Sequence, residues 1–401
     1  MAGPLTDRHV VLGVTGSIAS FKAVDLASKL VQAGALVDVI MTYGATRFIT
    51  PLAFRSITHR EVVTDTYDVA SEFANEHVAL ARRADIVAIA PATVNCIAKL
   101  AVGLADDPLT TTVIASSAPL LVAPAMDADM YAHPATQENL EKLRQRGVAI
   151  AGPAPGRLAS GLTGMGRLLE PVDLLGHISA SLGRSGDLAG RTIVISAGGT
   201  QEPIDPVRVI TNHSSGKMGY ALAEAARDRG ARAVLVAAPT GLPDPPLVKV
   251  VPVRTADQMA AAVKREVAEA DALIMAAAVA DYRPASSSQQ KIKKSDAELS
   301  IELARTTDIL DTARGDFVRV GFAAESENLV ANATDKVRRK SLDLIVANDI
   351  TDADSGFGSD TNRVVLIDRQ LVAEELPLLT KYEVGQKILD RVSDLLPPLD
   401  S

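Results

Sequence analysis

Short apolar runs alternate with amphipathic stretches along the chain. His9-Val10-Val11-Leu12-Gly13-Val14-Thr15-Gly16 is too short for a helix and ends in glycine. Residues 17–33 then carry apolar positions at helical spacing, and Ala35-Leu36-Val37-Asp38-Val39-Ile40-Met41-Thr42 is a second apolar run. Strand, helix, strand with a crossover predicts a parallel sheet. Buried runs recur at residues 85–90 and 119–123, and a polar helix is expected over residues 136–146. The pattern restarts at residues 192–197, which run into Gly198-Gly199-Thr200. Further strands are expected at residues 233–238, 272–277, 318–323 and 342–347. Thr255-Ala256-Asp257-Gln258 reads as a capping box opening a helix to about residue 270. Pro243-Asp244-Pro245-Pro246 and Ser286-Ser287-Ser288 mark loops. The small-residue-rich stretch 176–190 reads as a seam, with the boundary near residues 184–187. Two doubly wound α/β domains are expected, residues 1–186 and 187–401.

Composition narrows the classes. The 401 residues are 47% hydrophobic and 22% charged, which excludes a largely disordered chain. Aromatics make up 3% and tryptophan is absent, so the cores must be aliphatic and alanine-rich. The net charge of −8 is spread over both halves and offers no positive field for nucleic acid. Cys96 is the single cysteine, which excludes an internal disulfide and a cysteine-based zinc site. No run approaches a membrane span, and the N-terminal MAGPLTDRH lacks the apolar run of a signal peptide. A soluble chain in a reducing, cytoplasmic compartment is the expectation.

Candidate chemistry gathers at strand ends, where open parallel sheets bind their ligands. Gly13-Val14-Thr15-Gly16-Ser17-Ile18-Ala19 hands a strand to a helix, and its N–H groups and hydroxyls suit a phosphate. A glycine turn for steric reasons alone reads equally well. Thr42, Pro91-Ala92-Thr93-Val94-Asn95 and Pro124-Ala125-Met126-Asp127-Ala128-Asp129-Met130 follow other strands. His77 is either a proton carrier or an ordinary surface histidine, and the methionines either line a site or fill core gaps. In the second half, Asp205-Pro206-Val207-Arg208 precedes Asn212-His213-Ser214-Ser215-Gly216-Lys217-Met218-Gly219, a donor-rich approach to a helix. It lacks the upstream glycine of a Walker A element. Asp281 ends a strand and suits a divalent cation. Lys291-Ile292-Lys293-Lys294 is either a solvated loop or a cover for phosphates. Lys336, Arg339 and Lys340 share one helical face.

Gly16-Ser17-Ile18-Ala19, His77, Pro91-Ala92-Thr93-x-Asn95 and Pro124-Ala125-Met126-x-x-x-Met130 resemble the flavin-dependent cysteine decarboxylases. The second-half motifs resemble the phosphopantothenate–cysteine ligases, so the whole chain resembles the bifunctional decarboxylase–ligase family of coenzyme A biosynthesis. The resemblance implies a flavodoxin-like first domain and a Rossmann-like second one. It implies FMN held by Gly16, Ser17, Ile18, Thr42, Thr93, Asn95 and Met130, with His77 as catalytic base. The family's asparagine for the substrate carboxylate is Asp127 here. An ionised Asp127 about 4 Å from that carboxylate would cost up to ~4 kcal/mol at an effective dielectric near 20. Asp127 is therefore expected to be protonated, turned away, or bridged by a cation or a lysine. The cysteine of the substrate-covering loop is replaced by Ser160, which cannot supply a thiol proton. Cys96 reads as a small buried hydrophobe rather than its substitute.

For the second domain the resemblance implies CTP bound by Ala277, Asp281, Lys291, Thr307, Asp308, Ile309, Leu310, Phe322, Lys336 and Lys340. Mg²⁺ would sit at Asp281, Arg208 would anchor 4′-phosphopantothenate, and Asn212 and Lys291 would serve acyl-cytidylate formation and transfer to cysteine. A homo-oligomer through both domains is implied, with no nucleic-acid or membrane partner. Two other readings stay open: an FMN-binding regulatory protein, or a ligase whose flavin domain is only a scaffold.

Overall fold

The computed structural model describes residues 3–65, 76–293, 299–325, 327–349 and 358–398. The chain separates into two compact units, Met1–Gly183 and Arg184–Ser401.

In the first unit, six parallel strands stand in the order Val62–Val63, Leu36–Met41, His9–Val14, Ile86–Ala92, Leu120–Pro124, Ala149–Ile150. Without the two-residue edge strand this is the flavodoxin-like order. Alternation along each strand sorts side chains between two cores. Val10, Leu12, Val14, Val37 and Val39 pack with Leu26 and Leu30 of the helix Ser20–Gln32 and Ile178 of the helix Pro171–Leu182. Val11, Ile40, Val87 and Ile89 pack on the other face with Ile97, Leu100, Leu109 and Leu140. Strands apolar on both faces need helices on both sides, which is the doubly wound arrangement.

The second unit repeats the scheme. Its eight-stranded sheet runs Lys249–Pro252, Arg232–Ala237, Thr192–Ala197, Ala272–Met275, Val318–Glu325, Leu344–Asp349, Val364–Asp368, Ala373–Glu375. Ile193 and Ile195 face Leu222, Ile388 and Leu389, whereas Val194 faces Met259 and Val263. The parallel part agrees with the pattern. The last two strands are antiparallel additions that the pattern does not announce. Val364–Asp368 covers the edge of Leu344–Asp349, a common fate for an outer strand.

Two further expectations are corrected. Residues 176–182 of the supposed seam complete the helix Pro171–Leu182, because Leu174 and Ile178 bury on the sheet and carry the intervening small residues into the helix. The first helix starts at Ser20 rather than residue 17. Ser17 N–H donates to the Thr15 carbonyl at 2.8 Å and Ala19 N–H to Ser17 Oγ at 3.2 Å, making a separate turn. The capping box at Thr255 and Gln258 is present, and its helix Ala256–Glu266 tightens into a 3₁₀ turn over Val267–Glu269.

Candidate functional site

In the first unit the strand ends at residues 14, 41 and 92 open on a cavity of about 480 Å³. Thr15, Gly16, Thr42, Tyr43 and Gly44 form one wall, and Thr93, Asn95, Cys96, Lys99, Asp107 and Met130 are among the residues of the other. Gly16 is required by close approach, since a Cβ there would lie 2.9 Å from the carbonyl carbon of Gly44. Thr15, which is buried, donates its hydroxyl to the Pro91 carbonyl at 2.7 Å and accepts the Thr93 N–H at 3.0 Å. The first and fourth strand ends are thereby locked together. Thr42 and Thr93 each cap the helix that follows, accepting from Ala45 N–H and Cys96 N–H. Their hydroxyls thus shape the cavity as well as face it.

Gly16, Thr42, Thr93, Asn95 and Met130 are brought together here; Ser17 and Ile18 are not among the lining residues, and Ile18 points outward with 60% exposure. His77 is half-buried on the helix Glu76–Arg83 and does not line this cavity either. Lys99 escaped the sequence reading. It lines the cavity with its ammonium 2.6 Å from Asp106 and 2.9 Å from Asp107. Its spacing of four from Asn95 on one helix was the available signal. Cys96 is buried, and burial, with Asp107 nearby, pushes its thiol up to about 12, so it stays protonated and inert.

Asp127 and Ser160 meet each other outside the cavity lining. The Ser160 hydroxyl donates to Asp127 Oδ2 at 2.5 Å, and Asp129 N–H donates to Oδ1 at 3.3 Å. The Ser160 hydroxyl, then the backbone N–H of Asp129, hold the Asp127 carboxyl below its ordinary range. Both donors favour the ionised carboxylate over the protonated one in the ligand-free protein.

In the second unit two cavities adjoin. One of about 500 Å³ is lined by Asn212, residues 213–219, Asn348, Asn362 and Lys381, among others. The other, about 700 Å³, is lined by Thr307, Asp308, Ile309, Leu310, Arg339 and Lys340, among others. Ala277, Val279, Asp281, Phe322 and Lys336 line both. A single elongated ligand can therefore occupy the two. Thr306 holds the shared wall in place, donating its N–H to the Asp281 carbonyl at 3.0 Å and its hydroxyl to the Ala280 carbonyl at 2.6 Å.

The lysines are arranged by their neighbours. Lys336 donates to the Phe322 carbonyl at 2.7 Å. Lys340 lies 2.5 Å from Asp308 and 2.6 Å from Asp311; burial works against its charge, but the two carboxylates prevail and raise its pKa. Lys381 is buried, donates to the Ser359 carbonyl, and has its pKa lowered by burial and then by Lys217. Asn362 is also buried, and among the described residues its Oδ1 has no hydrogen-bond partner. Asn348 lies in the strand-end segment Val346-Ala347-Asn348-Asp349, which the pattern places at this crevice, whereas Asn362 and Lys381 come from a strand and a helix far along the chain and no local motif marks them.

Lys291 lies outside both cavity linings. Its segment is stitched instead to the Asp205–Arg208 turn: Ile292 N–H donates to Asp205 at 3.1 Å, and Arg208 Nη2 donates to the Ile292 carbonyl at 3.2 Å. Arg208 grips Asp205 through Nε at 3.0 Å and Nη2 at 2.6 Å, holding that carboxyl well below the usual range. Asn212 donates to the Val279 carbonyl at 3.1 Å. Lys294 lies outside the described residues. No group of three or more His, Cys, Asp or Glu side chains converges as a metal site among the described residues.

Known proteins resemble the chain over nearly its whole length. A flavoprotein family model matches residues 2–183, and the model of the DNA/pantothenate metabolism flavoprotein C-terminal domain matches residues 188–396. The coenzyme A biosynthesis bifunctional protein CoaBC of Bacillus subtilis (strain 168) is 44% identical over 397 residues, 98% of each chain. That of Escherichia coli (strain K12) is 44% identical over 396 residues, 97% of each. A crystal structure of the C-terminal domain of a CoaBC protein is 42% identical, covering 53% of this chain and 98% of its own, with a TM-score of 0.46.

Proposed function

The chain belongs to the family of bifunctional coenzyme A biosynthesis proteins, and from that premise we propose how its residues divide the work. It is a flavoprotein-family enzyme with two activities, a phosphopantothenoylcysteine decarboxylase and a phosphopantothenate–cysteine ligase. We assign decarboxylation to residues 1–186 and ligation to residues 187–401.

In ligation, the 4′-phosphopantothenate carboxylate attacks the α-phosphate of CTP, and pyrophosphate leaves. The cysteine amine then displaces CMP from the acyl-cytidylate to form the amide. A carboxylate is a poor electrophile, and the mixed anhydride supplies the leaving group. The observation that carries this reading is the paired cavity, where Asp281, residues 307–310, Phe322, Lys336 and Lys340 converge. Lys336 offsets charge developing on the phosphates. Asp281 suits Mg²⁺ in the usual manner, one carboxylate completed by phosphate oxygens. Arg208, fixed by Asp205, presents its remaining guanidinium edge to the substrate, and Asn212 orients the acyl-cytidylate. Lys291, on the segment tied to Arg208, serves the transfer to cysteine.

In decarboxylation, the first-unit cavity suits FMN. Its volume is in the range of cofactor pockets, and the glycine backbones at 16 and 44 meet where a Cβ would intrude. Bound there, FMN supplies the electron acceptor that makes loss of CO₂ from a cysteine carboxylate possible. Thr15 and Thr93 hold the floor, Asn95 and Met130 orient the ligand, and His77 takes the substrate proton. Since His77 lies off the lining of its own cavity, we assign it to the site of a second copy. Exposed Ile18, Phe21, Tyr43, Phe48 and Leu52 supply apolar surface for such a homo-oligomer.

Incubation with 4′-phosphopantothenate, cysteine, CTP and Mg²⁺, followed by mass detection, tests both sites. The cysteine amide and its decarboxylated product, 4′-phosphopantetheine, are expected together. The ionised Asp127 and the serine at position 160 favour one second reading, a ligase with a scaffold flavin domain; amide alone from intact yellow protein would establish it.

A further inference from the structure

The strands Ala154–Arg157 and Thr163–Arg167 form a hairpin whose base and tip are held very differently. At the base, Met126 N–H donates to the Gly166 carbonyl at 3.0 Å. A Cβ on Gly166 would lie 2.2 Å from the Met126 oxygen, and one on Gly164 would lie 2.7 Å from the Ala128 Cβ, so glycine lets the backbones lie flat together. Just beyond, the buried Lys22 ammonium donates to the Leu168 carbonyl at 3.1 Å and to Glu170 at 2.9 Å, while Arg167 reaches the same Glu170 at 2.5 Å.

The tip, residues 158–162, is exposed or half-exposed and folds on itself through Leu158 N–H to the Leu162 carbonyl at 2.8 Å. Among the described residues its one hydrogen bond to the rest of the protein is Ser160 to Asp127, at 2.5 Å. Asp127 stands at the start of the helix Ala128–Ala132, whose Met130 lines the first-unit cavity.

We propose that Ser160 and Asp127 are a positioning pair, a latch that holds the hairpin tip down beside that cavity and is released when a carboxylate-bearing ligand takes the serine hydroxyl. Asp127 does not clamp the substrate carboxylate. It is the anion on which the hydroxyl rests while no substrate carboxylate is there, the two acceptors being chemically alike. This rests on reading the first unit as the decarboxylase, and its test does not.

Trypsin cleavage of the full-length protein after Arg157, read by mass, reports release of the tip, since Arg157 is exposed but paired with Thr163. With opening fast relative to cleavage, the rate follows the open population. Loss of one hydrogen bond to a charged acceptor should raise it about five- to ten-fold in S160A and in D127A. The double variant should be no faster than either single one, and S160T, which keeps the hydroxyl, should stay near wild type. Wild-type nicking in S160A, or additive effects in the double variant, overturns the latch; S160A alone decides it should D127A fail to fold. Decarboxylation should show the same pairing, with S160A and D127A changing KM by a common factor. If the wild type releases no CO₂, the decarboxylase reading fails while the nicking result still judges the latch.

Discussion

Asp127 shows how one side chain changes role with its neighbours. Its carboxyl is held below the ordinary range first by the Ser160 hydroxyl and then by backbone N–H groups. A lowered folded-state pKa means that the bond to Ser160 is fully present above about pH 4 and is lost as pH falls through the lowered value. Carboxylate NMR should therefore place the Asp127 midpoint below ~3.9 and move it upward in S160A; an unmoved midpoint would remove the serine as cause. Lys291 makes the opposite case, a residue with no cavity wall to sit on but a firm tie to Arg208 through Ile292. Lys291→Gln should abolish amide formation while leaving decarboxylation of supplied 4′-phosphopantothenoyl-cysteine unchanged. Normal ligase turnover would exclude Lys291 from the reaction. Neither outcome is readable from residue type, because a lysine-rich loop and an exposed aspartate look the same whether or not they work.

At the scale of elements, each sheet places chemistry at its strand ends. Thr15, Thr42 and Thr93 follow three neighbouring strands of the first sheet, and capping by Thr42 and Thr93 sets the angle of the helices that leave them. Gly16→Ala should close the approach to Gly44. The expected result is loss of the yellow cofactor with ligase activity intact, measured by absorbance and amide formation on the same sample. Retained flavin would show that the residue 16–44 contact yields. The strands and the capped helix at Thr255 were legible because a period of two or of 3.6, followed by a glycine or a cap, survives any tertiary context. The antiparallel extension was not, because Val364–Asp368 is a short apolar run like the parallel strands and its direction follows from the partner it finds.

For the whole molecule, the reactions have a fixed order, since the ligase product is the decarboxylase substrate. His77→Asn should accumulate the amide and lower CO₂ release by about 10²–10⁴-fold, the usual contribution of a positioned base. Mass detection in the coupled incubation distinguishes this from Lys291→Gln, which should yield neither product. Undiminished CO₂ release by His77→Asn would return that histidine to the surface.

The sequence by itself determined the class of both units, since apolar runs on two faces leave a parallel sheet few other ways to bury itself. It also marked the strand-end segments, whose glycines, caps and polar clusters are local features. The tertiary structure alone decided which of them share a wall. Asn362 and Lys381 join a cavity only because distant elements meet there, and Asp127 meets Ser160 only because a hairpin folds back. Electrostatic environment depends on distance in space, and spacing along the chain does not encode that distance once a loop intervenes.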